Sequence, residues 1–253
     1  MIGVPSKGRA GRSQTLAAVL GQGIDVPGHE VWIVCPAIEI NAYRDAYPWV
    51  TYIWPQDGPG IGSARQTLLR HAREIGTGPF WMLDDDITST SVKLVGGPMG
   101  KVALPHFLSM LDSVLVPYLN EKIALAGPNF RHRAWTDPYG VHMDVHLRNF
   151  IRVNPAAPID YWPHLKEDLD VVLQALMAGW HTVLFNQFVF DSPQMGTSAG
   201  GCRDDYDAGL LDEACRALVE KWPGVVSLRI TEEAQLTNRV DWREVRRRQE
   251  AIA

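Results

Sequence analysis

The chain has 253 residues, 46% hydrophobic and 21% charged, with 24 basic against 29 acidic side chains and a formal charge of −5. Those proportions belong to one large packed α/β domain or two small ones, and they exclude a disordered or fibrous chain. The negative balance excludes a global positive field, so any contact with nucleic acid has to come from local patches.

Three cysteines, Cys35, Cys202 and Cys215, have no metal-ligand spacing. An odd, sparse set suits a reducing cytoplasm better than a secreted disulfide framework. The N-terminus, Met1 to Arg9, lacks an apolar core preceded by basic residues, so no signal peptide is expected. Val171 to Phe190 carries no Asp, Glu, Lys or Arg, but Gln174, Gly179, His181, Asn186 and Gln187 interrupt it. Gly179-Trp180 reads as a helix end followed by a strand, so no membrane span is expected.

In chain order, Ile2-Gly-Val-Pro5 is a short strand that ends in the basic, flexible loop Ser6–Arg12, and a helix follows from Ser13 to Leu20. Val31–Cys35 is a buried strand closed by Pro36, with a helix over Glu39–Ala46. Val50–Trp54 is the third strand. The glycine loop Gly58–Gly62 then opens a helix over Ser63–Glu74, with Ser63 the expected N-cap. Phe80–Leu83 is a fourth strand that runs directly into Asp84-Asp85-Asp86. Strand and helix alternating at this spacing predict a parallel sheet with right-handed crossovers.

Beyond Asp86 the pattern loosens. Thr88–Lys101 is polar and glycine-rich and reads as an exposed loop. Leu104–Tyr118 is an amphipathic helix, Ile123–Ala126 a strand and Val145–Val153 an extended run. Glu167–Ala178 has a clear helix pattern, with Leu169, Val172, Leu173, Leu176 and Met177 on one face. Thr182–Phe185 and Phe188–Phe190 read as strands, and Ser192–Asp207 as a mobile segment. No repeat or linker divides the chain. The expected architecture is therefore a single α/β domain with a Rossmann-like, mostly parallel sheet flanked by helices.

In open parallel sheets ligands bind beyond the carboxyl ends of the strands. There the loops Ser6–Arg12 and Gly58–Gly62 suit a phosphate or nucleotide, while the aspartates suit a divalent cation bridging to it. Three acids after a strand can equally be a solvated turn or a dipole-compensating helix start. Their side-by-side placement at a sheet mouth, however, is repulsive unless a cation or solvent relieves it. Alternation along an extended segment points Asp84 and Asp86 one way and Asp85 the other.

The segments Ile2-Gly-Val-Pro-Ser-Lys-Gly-Arg9, Gly60-Ile-Gly-Ser-Ala-Arg65 and Trp81-Met-Leu-Asp-Asp-Asp86 resemble nucleotide-sugar-dependent glycosyltransferases of the GT-A fold. In order and spacing they are most similar to the TET-associated glycosyltransferases, found largely in phages and thought to glycosylate hydroxymethylated pyrimidines in DNA. The resemblance covers residues 1–90 well and Lys166-Glu-Asp168 moderately. It implies a nucleotide-sugar half at 1–90 and an acceptor-binding, catalytic half at 91–253. Asp86 becomes the ligand of Mn²⁺ or Mg²⁺, and Asp84 a contact to the donor's ribose or sugar. Asp85 can replace either, because a triple Asp leaves the register open. Pro5, Ser6, Lys7, Arg9, Gly62 and Arg65 become donor contacts, Arg65 reaching the nucleotide or the acidic motif, and a uridine diphosphate sugar is the expected donor by analogy with the fold.

The resemblance also makes Asp168 the base that deprotonates the acceptor hydroxyl in an inverting transfer, with Glu167 its alternate; helix capping explains an acidic first turn equally well. Asp170 reads as solvated. A late histidine is a common further metal ligand in this fold; none follows His181 here, and either Asp191 substitutes or the diphosphate and water complete an octahedral site. The glycines from Gly196 to Gly201 suit a lid over the donor.

Acceptor contacts are expected from Arg131, Arg133, Trp135 and Trp162, with Tyr139, Arg148, Arg152 and the arginines of the tail from Arg239 as further local positive charge. The acceptor that the family suggests is DNA carrying a hydroxymethylated pyrimidine, reached by base flipping or on a single strand. A saccharide, lipid-linked or small-molecule acceptor, or a sugar-phosphate nucleotidyltransferase, are the alternatives. The expected location is cytoplasmic, in a host cell if the gene is phage-borne.

Overall fold

The computed structural model describes residues 1–20, 30–93, 98–118, 122–134, 140–162, 165–193, 200–232 and 234–252. Its first half alternates β1 (Ile2–Pro5), α1 (Gln14–Leu20), β2 (Val31–Cys35), α2 (Ile40–Ala46), β3 (Tyr52–Pro55), α3 (Gly60–Glu74) and β4 (Phe80–Leu83). The strands lie in the order β3-β2-β1-β4, all parallel. Side chains alternate across a strand, and here both faces are covered, so these strands read as unbroken apolar runs. Trp32, Val34, Phe80 and Met82 pack on one face against Leu68, Leu69 and Ala72 of α3. Ile33, Cys35, Trp81 and Leu83 pack on the other against Leu16, Val19 and Tyr43 of α1 and α2. Each such side chain contributes about 1.5–3 kcal/mol relative to exposure in water.

Helix α3 begins three residues earlier than the sequence predicts. Gly60 takes φ +80°, a left-handed value open to glycine without strain, and turns the loop into the helix behind Pro59. Ser63 is therefore inside the first turn, where its hydroxyl donates to the Pro59 carbonyl (2.7 Å) instead of capping.

The second half extends the same sheet with β5 (Ser89–Lys93), β6 (Met99–Lys101), β7 (Ile123–Phe130), β8 (Val141–Met143), β9 (Phe150–Val153) and β10 (His181–Asp191). The full order is β3-β2-β1-β4-β9-β7-β10-β5-β6, with β8 also on β10. Strands β1 to β4, β7, β10 and β6 run one way and β9, β5 and β8 the other. The helices are α4 (Leu104–Leu115), the single turn α5 (Arg131–Ala134), α6 (Glu167–Met177), α7 (Arg203–Asp207) and α8 (Leu210–Lys221). A hairpin, β11 (Val226–Ile230) and β12 (Leu236–Val240), precedes α9 (Trp242–Glu250).

Three expectations change. Within Thr88–Lys101 the described residues supply β5 and β6 in place of the expected exposed loop, and their hydroxyls are satisfied internally, Thr90 donating to Val102 O (2.6 Å) and Ser91 accepting from Arg131 (2.8 Å). The expected strands at 182–185 and 188–190 are one strand, β10, whose register on β7 shifts between Phe185 and Val189. Asp170 is not solvated but wholly buried, accepting from Lys221 (2.7 Å), Trp222 Nε1 (2.8 Å) and Gln174 (2.7 Å). Two of these partners, Lys221 and Trp222, come from the end of α8, so the hydropathy pattern of α6 carries no trace of them.

The uncharged stretch 171–190 divides into α6 and β10 at Gly179 (φ +70°), and among the described residues no helix is long and apolar enough to cross a membrane.

Gly127 in β7 faces the Phe150 carbonyl of β9 so closely that a Cβ would overlap the backbone oxygen. Gly127→Ala is expected to destabilise by about 1–3 kcal/mol, read as a melting temperature lower by roughly 2–10 °C for a chain of this size.

Candidate active site

Strands β1 and β4 are neighbours, so the loop after Pro5 and the aspartates after Leu83 emerge side by side at their carboxyl ends. The three side chains do not simply alternate: one nitrogen of Arg9, Nη1, meets both Asp85 and Asp86, while Asp84 meets Arg65. Asp85 is buried and turns into the loop, where it accepts from Ser6 Oγ and Arg9 Nη1, while its carbonyl accepts from Ser13 Oγ (2.7 Å). Ser6 also bonds the Tyr43 hydroxyl (2.6 Å). Asp85 and Ser6 thus lock the loop after β1 in place rather than offering free groups to a ligand.

Asp84 and Asp86 face the cleft, with side chains 21% and 24% exposed. Arg65 on α3 donates to Asp84 Oδ1 (2.7 Å) and lies 3.0 Å from Glu167 Oε1, the first residue of α6. Its guanidinium is buried and its Nε has no hydrogen-bond partner among the described residues. Arg9 Nη1 lies 3.2 Å from Asp86. Burial, together with Asp84 and Asp85, pushes the Asp86 carboxyl up to about 6. Burial and the adjacent Asp168 push Glu167 up to about 7 against the pull of Arg65.

Four carboxylates, Asp84, Asp85, Asp86 and Glu167, meet two guanidiniums, Arg9 and Arg65, a formal excess of two negative charges. That excess, and the raised Asp86, fit a divalent cation held by oxygen ligands. Among the described residues no cluster of three or more His, Cys, Asp or Glu side chains is arranged to hold a metal alone. The donor set therefore fits a cation that takes its remaining ligands from a diphosphate and water.

The facing wall is the start of α6. Lys166 has φ +68°, and the chain turns there into Glu167 and Asp168. Asp168 Oδ1 accepts from the Leu169 N–H (2.8 Å) and Oδ2 lies 3.0 Å from His146 Nε2. Burial alone would raise the Asp168 carboxyl, but His146, Arg148 and Arg65 outweigh it and hold the group well below the usual carboxylate range. Arg133 on α5 lines the same end of the cleft. Both walls enclose a cleft of about 1170 Å³, with Lys7 at the rim paired to Asp204 (3.0 Å).

His146 was not legible in the sequence, being a lone histidine in what reads as an extended run. Nor were Cys202, Tyr206 and Trp242, which also line the cleft and come from the C-terminal part of the chain.

Other expected residues are elsewhere. Asp191 is engaged by Arg131 Nε (2.7 Å) and Ser89 Oγ (2.6 Å) at the end of β10, and neither Asp191 nor Arg131 is among the residues that line the cleft. Trp162 packs against the core, with Lys221 Nζ 5.2 Å from its ring centre. Gly62 is buried in the first turn of α3, where Gly60 and Ile61 meet the cleft instead. Arg247 and Arg248 of the tail pair with Glu244 along α9. Trp135, Tyr139 and residues 196–199 of the expected lid lie outside the described residues. At its described end, Gly201 N donates to Lys7 O (3.0 Å), and Gly200 (φ +83°) leaves no room for a Cβ against that carbonyl.

Solved structures of glucosyl-3-phosphoglycerate synthase from Mycobacterium tuberculosis share this architecture. The complex with Mg²⁺ and uridine diphosphate superposes with a TM-score of 0.54 at 11% identity over 94% of this chain and 85% of that one. The complex with Mn²⁺, uridine diphosphate and phosphoglyceric acid gives 0.53 at 11% identity, and the complex with Mn²⁺ and UDP-glucose 0.51 at 12%, each over the same shares of the two chains. No curated relative matches in sequence. The fold is that of the GT-A glycosyltransferases. The family model of the TET-associated glycosyltransferases matches residues 1–201, and the chain belongs to that family. It is a glycosyltransferase, which sets aside the nucleotidyltransferase reading.

Arg65→Ala would leave Asp84 and Glu167 without their shared cation. Breaking such a buried pair costs about 3–5 kcal/mol, so the melting temperature is expected to fall by roughly 6–20 °C in thermal unfolding. Arg65→Lys should recover only part of it, because one ammonium does not reproduce a planar fork between two carboxylates.

Proposed function

We propose that the protein moves a sugar from a uridine diphosphate sugar to the hydroxyl of a hydroxymethylated pyrimidine, such as 5-hydroxymethylcytosine, in DNA. The observation that carries this reading is the pairing of two unlike carboxylate systems across one cleft: an acid-rich cluster with a formal excess of acid over base, and Asp168, a carboxylate held low beside Arg148 and Arg65.

On the first wall, Asp84 and Asp86 would hold Mn²⁺ or Mg²⁺, the ions found with uridine diphosphate in the solved synthase structures. Bound there, the cation neutralises charge on the departing diphosphate. Pro5, Lys7 and Arg9, on the loop that Asp85 and Ser6 fix, would line the nucleotide. Arg65 keeps Asp84 aimed into the cleft and ties it to the helix carrying the base.

On the second wall, Asp168 accepts the proton of the acceptor hydroxyl as its oxygen bonds to the sugar's anomeric carbon. The bond from that carbon to the diphosphate breaks and its electron pair leaves with the nucleotide. A base opposite the leaving group gives inversion. Arg133 and Phe130 line this end, with the guanidinium 6.0 Å from the ring centre, a cationic and aromatic surface of the kind that meets a nucleic-acid strand. The free thiols suit a reducing cytoplasm, that of the host for a phage-borne gene.

The direct test incubates the protein with Mn²⁺, a panel of uridine diphosphate sugars and DNA containing 5-hydroxymethylcytosine, followed by nucleoside mass spectrometry. A hexose-sized gain on the modified nucleoside is expected. Transfer to a free saccharide or phosphorylated small molecule, with none to DNA, would replace the acceptor and keep the chemistry. Asp86→Ala is expected to lower kcat at least a hundredfold and to remove the Mn²⁺ dependence of UDP-glucose binding. Asp168→Asn should leave thermal stabilisation by UDP-glucose and Mn²⁺ intact while kcat falls about 10²–10⁴-fold; wild-type turnover in that variant would reduce the acidic pair to a helix cap.

A further inference from the structure

We infer that His146, oriented by Arg148, is the positioning residue that holds Asp168 ready to accept a proton; this rests on the assignment of Asp168 as the base. The two residues stand on the segment between β8 and β9, apart in sequence from α6, and reach across to Asp168 at the cleft wall.

Arg148 Nε lies 3.4 Å from His146 Nδ1. A guanidinium has only donors, so Nδ1 must be the acceptor and carries no proton. The ring is then neutral with its proton on Nε2, and Nε2–H donates to Asp168 Oδ2 at 3.0 Å. Burial, which lowers the basicity of His146, acts in the same direction. With Oδ1 already accepting from the Leu169 N–H, both oxygens of Asp168 are anchored and the carboxylate cannot turn away from the cleft. Each oxygen keeps a lone pair for an incoming hydroxyl.

The same geometry excludes a proton relay. A proton taken up by Asp168 cannot pass through the ring, because Nδ1 faces a cation with no lone pair to receive it. It stays on Asp168 until it returns to solvent through the open cleft. His146 therefore acts through the base rather than on the substrate. The charged groups around the pair are Arg148 beside the ring, Arg133 from α5, Arg65 from α3 and Glu167 from α6; the three arginines favour the ionised carboxylate and Glu167 opposes it.

Two measurements test this. By ¹⁵N NMR of the full-length protein without ligands, His146 should show a protonated Nε2 and a bare Nδ1 from pH 6 to 8. Arg148→Met should release the tautomer preference. A doubly protonated ring at pH 7, or the opposite tautomer, overturns the inference. In transfer from UDP-glucose to hydroxymethylcytosine DNA, His146→Ala should lower kcat about 10–100-fold with the KM for UDP-glucose unchanged. The acid limb of its pH profile should move to higher pH, because losing a donor to the anion makes Asp168 easier to protonate. His146→Gln, whose amide can donate from a similar position, should recover most of the rate and the profile. Wild-type kcat in His146→Ala while Asp168→Asn is inactive sinks this inference alone; wild-type kcat in Asp168→Asn removes the base on which it rests.

Discussion

One buried guanidinium organises this site. Arg65 bridges Asp84, at the end of β4, and Glu167, at the start of α6, and so joins the wall that carries the acid cluster to the wall that carries Asp168. The two acids are 83 positions apart in the chain, and no strand pairing sets their separation. A permanently charged, planar fork suits that task, because it contacts two carboxylates at once and cannot relieve the strain by losing its proton. The cost of burying it is offset only while both acids remain ionised or hydrogen-bonded.

Around that bridge the charges divide by sign. Toward β1 and β4 there is more acid than base, and the Asp86 carboxyl rises in response. Toward α5 and the segment before β9, Arg133 and Arg148 outnumber Asp168, whose carboxyl falls. A low-dielectric cleft with opposite fields at its two ends suits a reaction in which an anionic leaving group departs at one end and a proton is taken up at the other. The C-terminal residues Tyr206 and Trp242, beyond the stretch matched by the family model, also line the cleft.

The strands and helices of residues 1–90 were legible because sheet and helix each impose a short hydrophobic period, and both faces of this sheet are buried. The triple aspartate was legible as a candidate because it follows such a strand without a break, and it does line the cleft. Other readings failed for local reasons. Ser89–Lys93 looks like a loop because its hydroxyls bond inward instead of to water, and Asp170 looks solvated because its partners Lys221 and Trp222 lie on another helix. Asp191 has the residue type of a metal ligand, but with Arg131 and Ser89 it stands outside the cleft lining.

By itself the sequence determined the α/β class, the strand ends that border the cleft, the acid motif at Asp84–Asp86 and the acidic start of α6, since periodicity and nearest-neighbour chemistry are properties of a local stretch. Only the tertiary structure decided which carboxylates stay available to a ligand and which are consumed by partners, and that a histidine and an arginine from a separate segment stand behind Asp168. Those outcomes depend on distances of about 3 Å between residues remote in the chain, and an ion pair or hydrogen bond at that range leaves no periodic mark on the sequence.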